Sequence, residues 1–246
     1  MLRASLFCLL TLPLLHGADD LAKPDKVTIH TWVREDIFAG LIGNDTAAFE
    51  RGVKKIDRYL ADHPGDRYGM AWKFTEAIYR MKLARTKGDD AAYAKQLAIA
   101  KELRTKVYAG ASPDPGLNII IGSSLVYVAG VAPEQDKTWM YRDARDLLKV
   151  VPELQGAVFE RLPPHMRGEL WAQLAYASHQ LGDAAARDEL LAKMRTQLAG
   201  TPYETRARAW EKPENLAKEK SYACISCHEP GRLAPTLERV KSSAGN

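Results

Sequence analysis

The chain has 246 residues, 46% of them hydrophobic and 27% charged, so it can form a sizeable folded core. Its 35 Lys and Arg residues exceed its 31 Asp and Glu residues by only four. A positive balance this mild, with both signs mixed along the chain, argues against a nucleic-acid partner.

The N-terminus has the pattern of a secretory signal peptide. Met1-Leu2-Arg3 gives a positive start, residues 4–15 form an apolar run, and His16-Gly17-Ala18 provides small residues for cleavage. The apolar run is too short to span a bilayer comfortably. We therefore predict a signal peptide over residues 1–18, export to the periplasm of a bacterium or an equivalent compartment, and no stable membrane span after cleavage.

Apolar residues recur at helical spacing along most of the chain. One set, spaced i, i+4, i+7 and i+11, is Phe49, Val53, Ile56 and Leu60. The other sets are Phe74, Ala77, Ile78 and Met81; Met140, Ala144, Leu147, Leu148 and Val151; Trp171, Leu174, Ala175 and Ser178; and Leu190, Leu191, Met194 and Leu198. Residues 119–131 are apolar almost all round, which predicts a buried core helix. Strand-like alternation is absent from the sequence, so we predict an all-α protein.

The breaks between these helices repeat one pattern. Gly43-Asn44-Asp45, Gly88-Asp89-Asp90 and Gly182-Asp183-Ala184 each place a glycine to end one helix in the left-handed conformation and a polar residue to cap the next. Pro133-Glu134-Gln135-Asp136 predicts a similar break with a capping residue. Prolines close the units at positions 64, 113, 115, 163, 164 and 202. The pattern predicts four helical hairpins of roughly 45 residues, stacked as a short solenoid.

The last hairpin resembles a tetratricopeptide repeat. The resemblance rests on Trp171-x-x-Leu174-Ala175, Leu181-Gly182-Asp183 and Thr201-Pro202, and more loosely on Gly43-Asn44 and His63-Pro64 in the first hairpin. The second helices are several residues longer than that family's. The resemblance covers residues 27–205 and implies a concave face that suits a peptide or protein partner. A scaffold without a partner is the alternative for this helical-repeat domain, which we place at residues 19–209.

The motif Cys224-Ile225-Ser226-Cys227-His228 carries the clearest chemical signal in the chain. Two thiols at this spacing form thioethers with the haem vinyl groups in c-type attachment, and the adjacent histidine ligates the iron. On a helix, Cys224, Cys227 and His228 would share one face. The motif therefore predicts one covalently attached haem c, with His228 as an iron ligand.

Cysteine usage favours this interpretation. Of three cysteines, Cys8 lies in the predicted signal peptide, so a mature chain keeps only the two in the motif. A disulfide between them would close only a tiny loop, and a zinc site would lack a second Cys/His cluster. A redox-active dithiol and chance spacing are the remaining alternatives.

The C-terminal segment, residues 210–246, resembles a c-type haem motif without a standard cytochrome c domain around it. No Met or His follows His228 in the sequence, so the usual downstream axial Met is missing. The sixth iron position is expected to be vacant, filled by another chain, or filled from the helical repeats. Candidates in the repeats are His30, His63, His165, His179, Met70, Met140, Met166 and Met194. Lys218, Lys220 and Arg232 could pair with haem propionates or with an acidic partner.

These features together predict an exported monohaem c-type cytochrome that transfers electrons to a redox partner protein, with the helical repeats as docking body. A haem-based sensor or interaction module with an open iron site is the first alternative. A peroxidase-like haem enzyme is the second, and it would need a base and an arginine near the iron. No other catalytic residues are predicted, and the oligomeric state is open.

Overall fold

The computed structural model describes residues 27–110 and 112–217. The predicted signal peptide over residues 1–18 and the motif residues Cys224, Cys227 and His228 lie outside the described residues. Across the described ranges the secondary structure is entirely helical, without a β-strand, so the predicted all-α class is confirmed. None of the helices in this part of the chain is long and apolar enough to cross a bilayer.

Twelve helices follow one another in the described residues. They are α1 (Ile29–Gly43), α2 (Thr46–Asp62), α3 (Arg67–Lys87), α4 (Asp90–Tyr108), α5 (Pro115–Ala129), α6 (Glu134–Lys149), α7 (Val151–Gln155), α8 (Ala157–Arg161), α9 (Pro164–Gln180), α10 (Ala184–Gln197), α11 (Pro202–Trp210) and α12 (Pro213–Ala217). Four sequential pairs pack closely: α1 with α2, α3 with α4, α5 with α6, and α9 with α10.

Aspartate side chains cap the second helix in three of these pairs. Asp45 accepts a hydrogen bond from the Ala48 amide at 3.0 Å, and Asp89 and Asp183 accept equivalent bonds at 2.9 and 3.1 Å. Each bond satisfies one of the amides that a helix start leaves without an intrahelical partner. The turn chemistry predicted from the sequence is therefore present at these three breaks.

Two details of the predicted turns are wrong. Gly43 is the last residue of α1, and Asn44 takes the left-handed conformation with φ 54°. Asparagine tolerates this region better than most residues, so the break shifts by one position. The break at Pro133 has no side-chain cap on α6. In contrast, Gly88 and Gly182 are left-handed, as expected.

The segment between α6 and α9 contains two short helices that the sequence pattern does not predict. The apolar set running from Met140 to Val151 was expected to belong to one helix, but α6 ends at Lys149 and α7 begins at Val151. Gly156, with φ 52°, then separates α7 from α8. The expected inward face is nevertheless retained, because Met140 and Val151 are both buried.

The helices α1 and α3 lie side by side and run in the same direction. Near their starts, the ring centroids of His30 and Trp72 are 5.4 Å apart. Near their ends, Lys82 donates a hydrogen bond to the Leu41 carbonyl at 3.3 Å, and the Tyr127 hydroxyl from α5 also donates to that carbonyl. A carbonyl in the last turn of α1 is thus satisfied by side chains from two neighbouring helices.

The same parallel arrangement continues from α3 to α5. Tyr68 at the start of α3 donates a hydrogen bond to Asp114, the N-cap of α5, at 2.8 Å. Further along, the buried hydroxyls of Thr75 and Ser124 are 3.0 Å apart. Buried polar groups need such partners, so these bonds fix how the two helices align. Most side chains of α5 are buried, which confirms the predicted buried core helix as far as Ala129. The prediction is wrong at Val131, which lies beyond the end of α5 and is 45% exposed.

The last described helices pack onto α9. Tyr203 of α11 lies against Gly168, and its hydroxyl donates a 2.7 Å hydrogen bond to the buried Glu169 carboxylate. Trp210 and Leu216 are buried, and α12 contacts both α9 and α11. Helical packing therefore continues to Ala217, seven positions before the first cysteine of the motif.

Candidate functional site

The motif itself lies outside the described residues, so the structure bears on the site through the candidates for the sixth iron ligand. All eight candidates lie in the described ranges. These ranges contain no group of three or more His, Cys, Asp and Glu side chains arranged to hold a metal ion. The candidates are therefore separate positions, and they differ in accessibility.

The methionine candidates divide by burial. Met140 and Met194 are 0% exposed and belong to the core, so their sulfur atoms cannot reach an external ligand while the core is intact. Met70 is partly buried and packs against the same core. Met166, in the first turn of α9, is 42% exposed. Met166 is therefore the most exposed of these four methionines.

Two histidine candidates lie at exposed helix ends. His63 follows α2, where its ring stacks on Tyr59 with centroids 4.5 Å apart and its Nδ1 lies 3.1 Å from the Tyr59 carbonyl oxygen. His165 is exposed at the start of α9, beside Met166. The His63 ring is therefore held by its own helix, as expected for a turn residue, whereas His165 is accessible.

His179 lies in the last turn of α9 and is half-buried. Burial lowers the pKa of its imidazole, and the neighbouring Arg187 guanidinium lowers it further. The neutral form is therefore favoured, and a neutral imidazole is the form that can donate a lone pair to iron. His165, Met166 and His179 all belong to α9, the helix on which α12 packs.

His30 lies in a polar cluster near the start of α1. Its Nε2 is 3.4 Å from Arg34 Nη1, and its ring packs against Trp72. Burial lowers the pKa of His30 to about 4, with a further contribution from the positive charge of Arg34. The imidazole is therefore neutral at physiological pH, and its protonated form is disfavoured by both effects.

Buried polar atoms around His30 lack a hydrogen-bond partner. Among the described residues these include His30 Nδ1 and Trp72 Nε1, whereas Arg34 Nε and Glu35 Oε1 form an ion pair with each other. Glu35 lies 3.5 Å from Arg34, and burial raises the pKa of the Glu35 carboxyl despite that neighbour. Such atoms are uncommon in folded proteins. The cluster thus holds a neutral base, a guanidinium and an indole N–H at one place.

The residues around His30 were not predicted from the sequence. The i, i+4 spacing of His30 and Arg34 could have indicated that they share a helix face. Trp72 comes from a different hairpin, and no local pattern connects it to α1.

Comparison with protein-family models, with curated proteins and with solved structures gives no significant match to this chain. The motif and the helices that lead to it are therefore the features of this chain that indicate its function.

Proposed function

We propose that this protein is an exported monohaem c-type cytochrome that transfers electrons to a partner protein. The observation that carries the proposal is the sequence Cys224-x-x-Cys227-His228, which holds both cysteines that remain after the predicted signal cleavage. The predicted signal peptide over residues 1–18 supports it, because covalent haem attachment in bacteria takes place outside the cytoplasm.

The donor set of the motif fits the proposed cofactor. Cys224 and Cys227 supply the two thiols for thioether bonds, and His228 supplies an imidazole ligand. When bound, the haem would supply a one-electron ferric–ferrous couple. The role of this chain is to tether the cofactor permanently and to orient His228 beside the second thioether.

The helical body is proposed to be a tetratricopeptide-like stack of four hairpins. Three observations support this architecture: the sequential pairing of helices, the parallel packing of α1, α3 and α5, and the repeated aspartate caps at Asp45, Asp89 and Asp183. In such a stack each hairpin buries its apolar face against its neighbours. The stack would serve as the docking body for the redox partner.

The sixth iron ligand, if the chain supplies one, is proposed to come from α9. The helix α12, the last described element before the motif, packs on α9, where Met166 and His165 are exposed and His179 is half-buried. Met140 and Met194 are unsuitable because their side chains are fully buried. The accessible side chains on α9 are thus better placed to reach the iron than the core methionines.

A peroxidase-like activity is the second candidate, and one observation favours it. That activity needs a base beside an arginine, and His30 and Arg34 form such a pair with a neutral imidazole. However, the pair lies on α1, whereas α12 packs on α9 and α11. Electron transfer therefore remains the better supported function.

The experiment that separates these functions is visible spectroscopy of the full chain, made with a periplasmic haem-attachment system. Electron transfer predicts a low-spin, six-coordinate spectrum in both oxidation states that does not respond to carbon monoxide. High-spin iron that binds carbon monoxide readily would refute that function and favour sensing or catalysis. His179→Ala, His165→Ala and Met166→Ala then identify an α9 ligand by loss of the low-spin spectrum, with Met70→Ala as the matched control.

A further inference from the structure

The helices α4 and α6 form a cleft that the proposed haem chemistry does not use. The two helices run parallel, because Tyr93 near the start of α4 donates a 3.0 Å hydrogen bond to Asp136 near the start of α6. Further along, the guanidinium of Arg104 donates hydrogen bonds to both carboxylate oxygens of Asp143. Between the helices lies a cavity of about 350 Å³ that is open to solvent.

The lining of this cleft comes from one face of each helix. The face of α4 contributes Lys101, Arg104 and Thr105, and that of α6 contributes Trp139, Arg142, Asp143 and Asp146. The spacings i, i+3, i+4 and i, i+3, i+4, i+7 place each set on a single helix surface. The Lys101 ammonium lies 5.2 Å from the centroid of the Trp139 ring. The cleft therefore combines cations with a partly buried aromatic ring.

Two of the three cations in the cleft have no carboxylate partner in the described part of the chain. Both carboxylates of the lining are occupied, Asp143 by Arg104 and Asp146 by Lys149 at 2.7 Å. Lys101 and Arg142, by contrast, are exposed and form no ion pair with the described residues. Their positive charge is thus available to an external anion.

Most other cations on these two helices are paired internally: Lys106 with Glu102, Lys137 with Glu134, and Arg145 with Asp183. Lys95, near the start of α4, is a further exposed lysine without an ion pair to the described residues. Two unpaired cations nevertheless share the lining of one cleft with Trp139. Arginine and tryptophan are the residue types enriched where proteins bind one another most strongly.

We propose that the α4–α6 cleft is a docking site for an acidic segment of a partner protein. Carboxylates of that segment bind Lys101 and Arg142, and its chain covers the ring of Trp139. A protein segment fits better than a metabolite, because small ligands are usually enclosed, whereas this cleft is open to solvent. The site does not depend on the haem, since every residue in it belongs to the described helical body.

The test measures binding of a fluorescein-labelled peptide of eight alternating Glu and Ser residues to the full chain at low salt, by fluorescence anisotropy. The charge-reversal variant is Lys101→Glu/Arg142→Glu. Its matched control, Lys54→Glu/Lys95→Glu, makes the same change in net charge at exposed lysines outside the cleft. Far-ultraviolet circular dichroism confirms folding, and Lys101→Gln/Arg142→Gln provides a milder second variant.

The proposal predicts that Lys101→Glu/Arg142→Glu binds the peptide at least about tenfold more weakly than the control Lys54→Glu/Lys95→Glu. It also predicts that added salt weakens binding of the peptide to the unmodified chain. A peptide with Gln in place of Glu should not bind. Equal losses in the cleft and control variants, or no binding to the unmodified chain, would overturn the proposal. So would displacement of the peptide by inorganic phosphate beyond the effect of chloride at equal ionic strength, which would indicate a small-anion site.

Discussion

The contact between α9 and α11 is the packing on which the approach to the motif depends, and Gly168→Ala tests it. Gly168 lies within α9 with the Tyr203 ring directly over it. A Cβ at this position would lie 2.6 Å from Tyr203 Cδ2, whereas ordinary contacts are 3.4–4 Å. The ring would have to move away, and its hydroxyl bond to the buried Glu169 would weaken.

The expected change in stability is the sum of opposing contributions. Replacing glycine by alanine within a helix stabilises by about 1 kcal/mol. Overpacking a fitted contact costs about 1–3 kcal/mol, and weakening a hydrogen bond to the buried Glu169 carboxylate costs about 1–3 kcal/mol more. Gly168→Ala should therefore destabilise by about 3 kcal/mol, within a range of about 1–5 kcal/mol. For a chain of this size, about 3 kcal/mol corresponds to a fall in Tm of about 6–12 °C.

Urea and thermal unfolding followed by circular dichroism measure this change. The matched control is Gly130→Ala, because Gly130 has helical backbone angles and its added Cβ would be no closer than 3.9 Å to the Tyr141 hydroxyl. That substitution should be neutral or stabilising. In a Tyr203→Ala background, Gly168→Ala should also cease to destabilise. A Tm for Gly168→Ala equal to or above that of Gly130→Ala would refute the close contact.

Two further predictions concern buried polar groups. Thr75→Val should leave the Ser124 hydroxyl without one of its partners and lower the free energy of unfolding by about 1 kcal/mol. The double variant Thr75→Val/Ser124→Ala should lose less stability than the sum of the two single changes, as measured by a double-mutant cycle in urea. Because the folded pKa of His30 is about 4, below the ordinary histidine value of 6.5, the unfolded chain takes up a proton first as the pH falls. The free energy of unfolding should therefore fall as the pH is lowered from about 6.5 to about 4. The fall should be up to about 3 kcal/mol larger in the unmodified protein than in His30→Gln. Parallel plots of unfolding free energy against pH for the two proteins would contradict the burial of a neutral imidazole.

The sequence predicts the helical character well because the apolar spacing reflects burial directly. Phe49, Val53 and Ile56 are all buried, as their i, i+4, i+7 spacing indicates. Capping is equally local, which is why Asp89 and Asp183 could be assigned from three or four neighbouring residues. In contrast, α7 and α8 have five residues each, too few for a periodic pattern.

Contacts between hairpins could not be predicted in the same way. Trp72 meets His30 only because α1 and α3 pack in parallel at a particular offset, and Arg104 meets Asp143 because α4 and α6 do the same. These offsets depend on packing between helices that are distant in sequence, including the hydroxyl pair of Thr75 with Ser124. The unpaired charge of the α4–α6 cleft therefore becomes visible only once the helices are assembled.

The account depends most directly on covalent haem at Cys224 and Cys227. The measurement is haem staining on a denaturing gel, with intact mass spectrometry, of the full chain produced with a periplasmic haem-attachment system. We predict a mass increase of one haem that survives denaturation and is abolished in Cys224→Ala/Cys227→Ala, with Cys8→Ala as the control that retains it. A chain that carries no haem after denaturation, or loses it on acidic solvent extraction, would contradict the account.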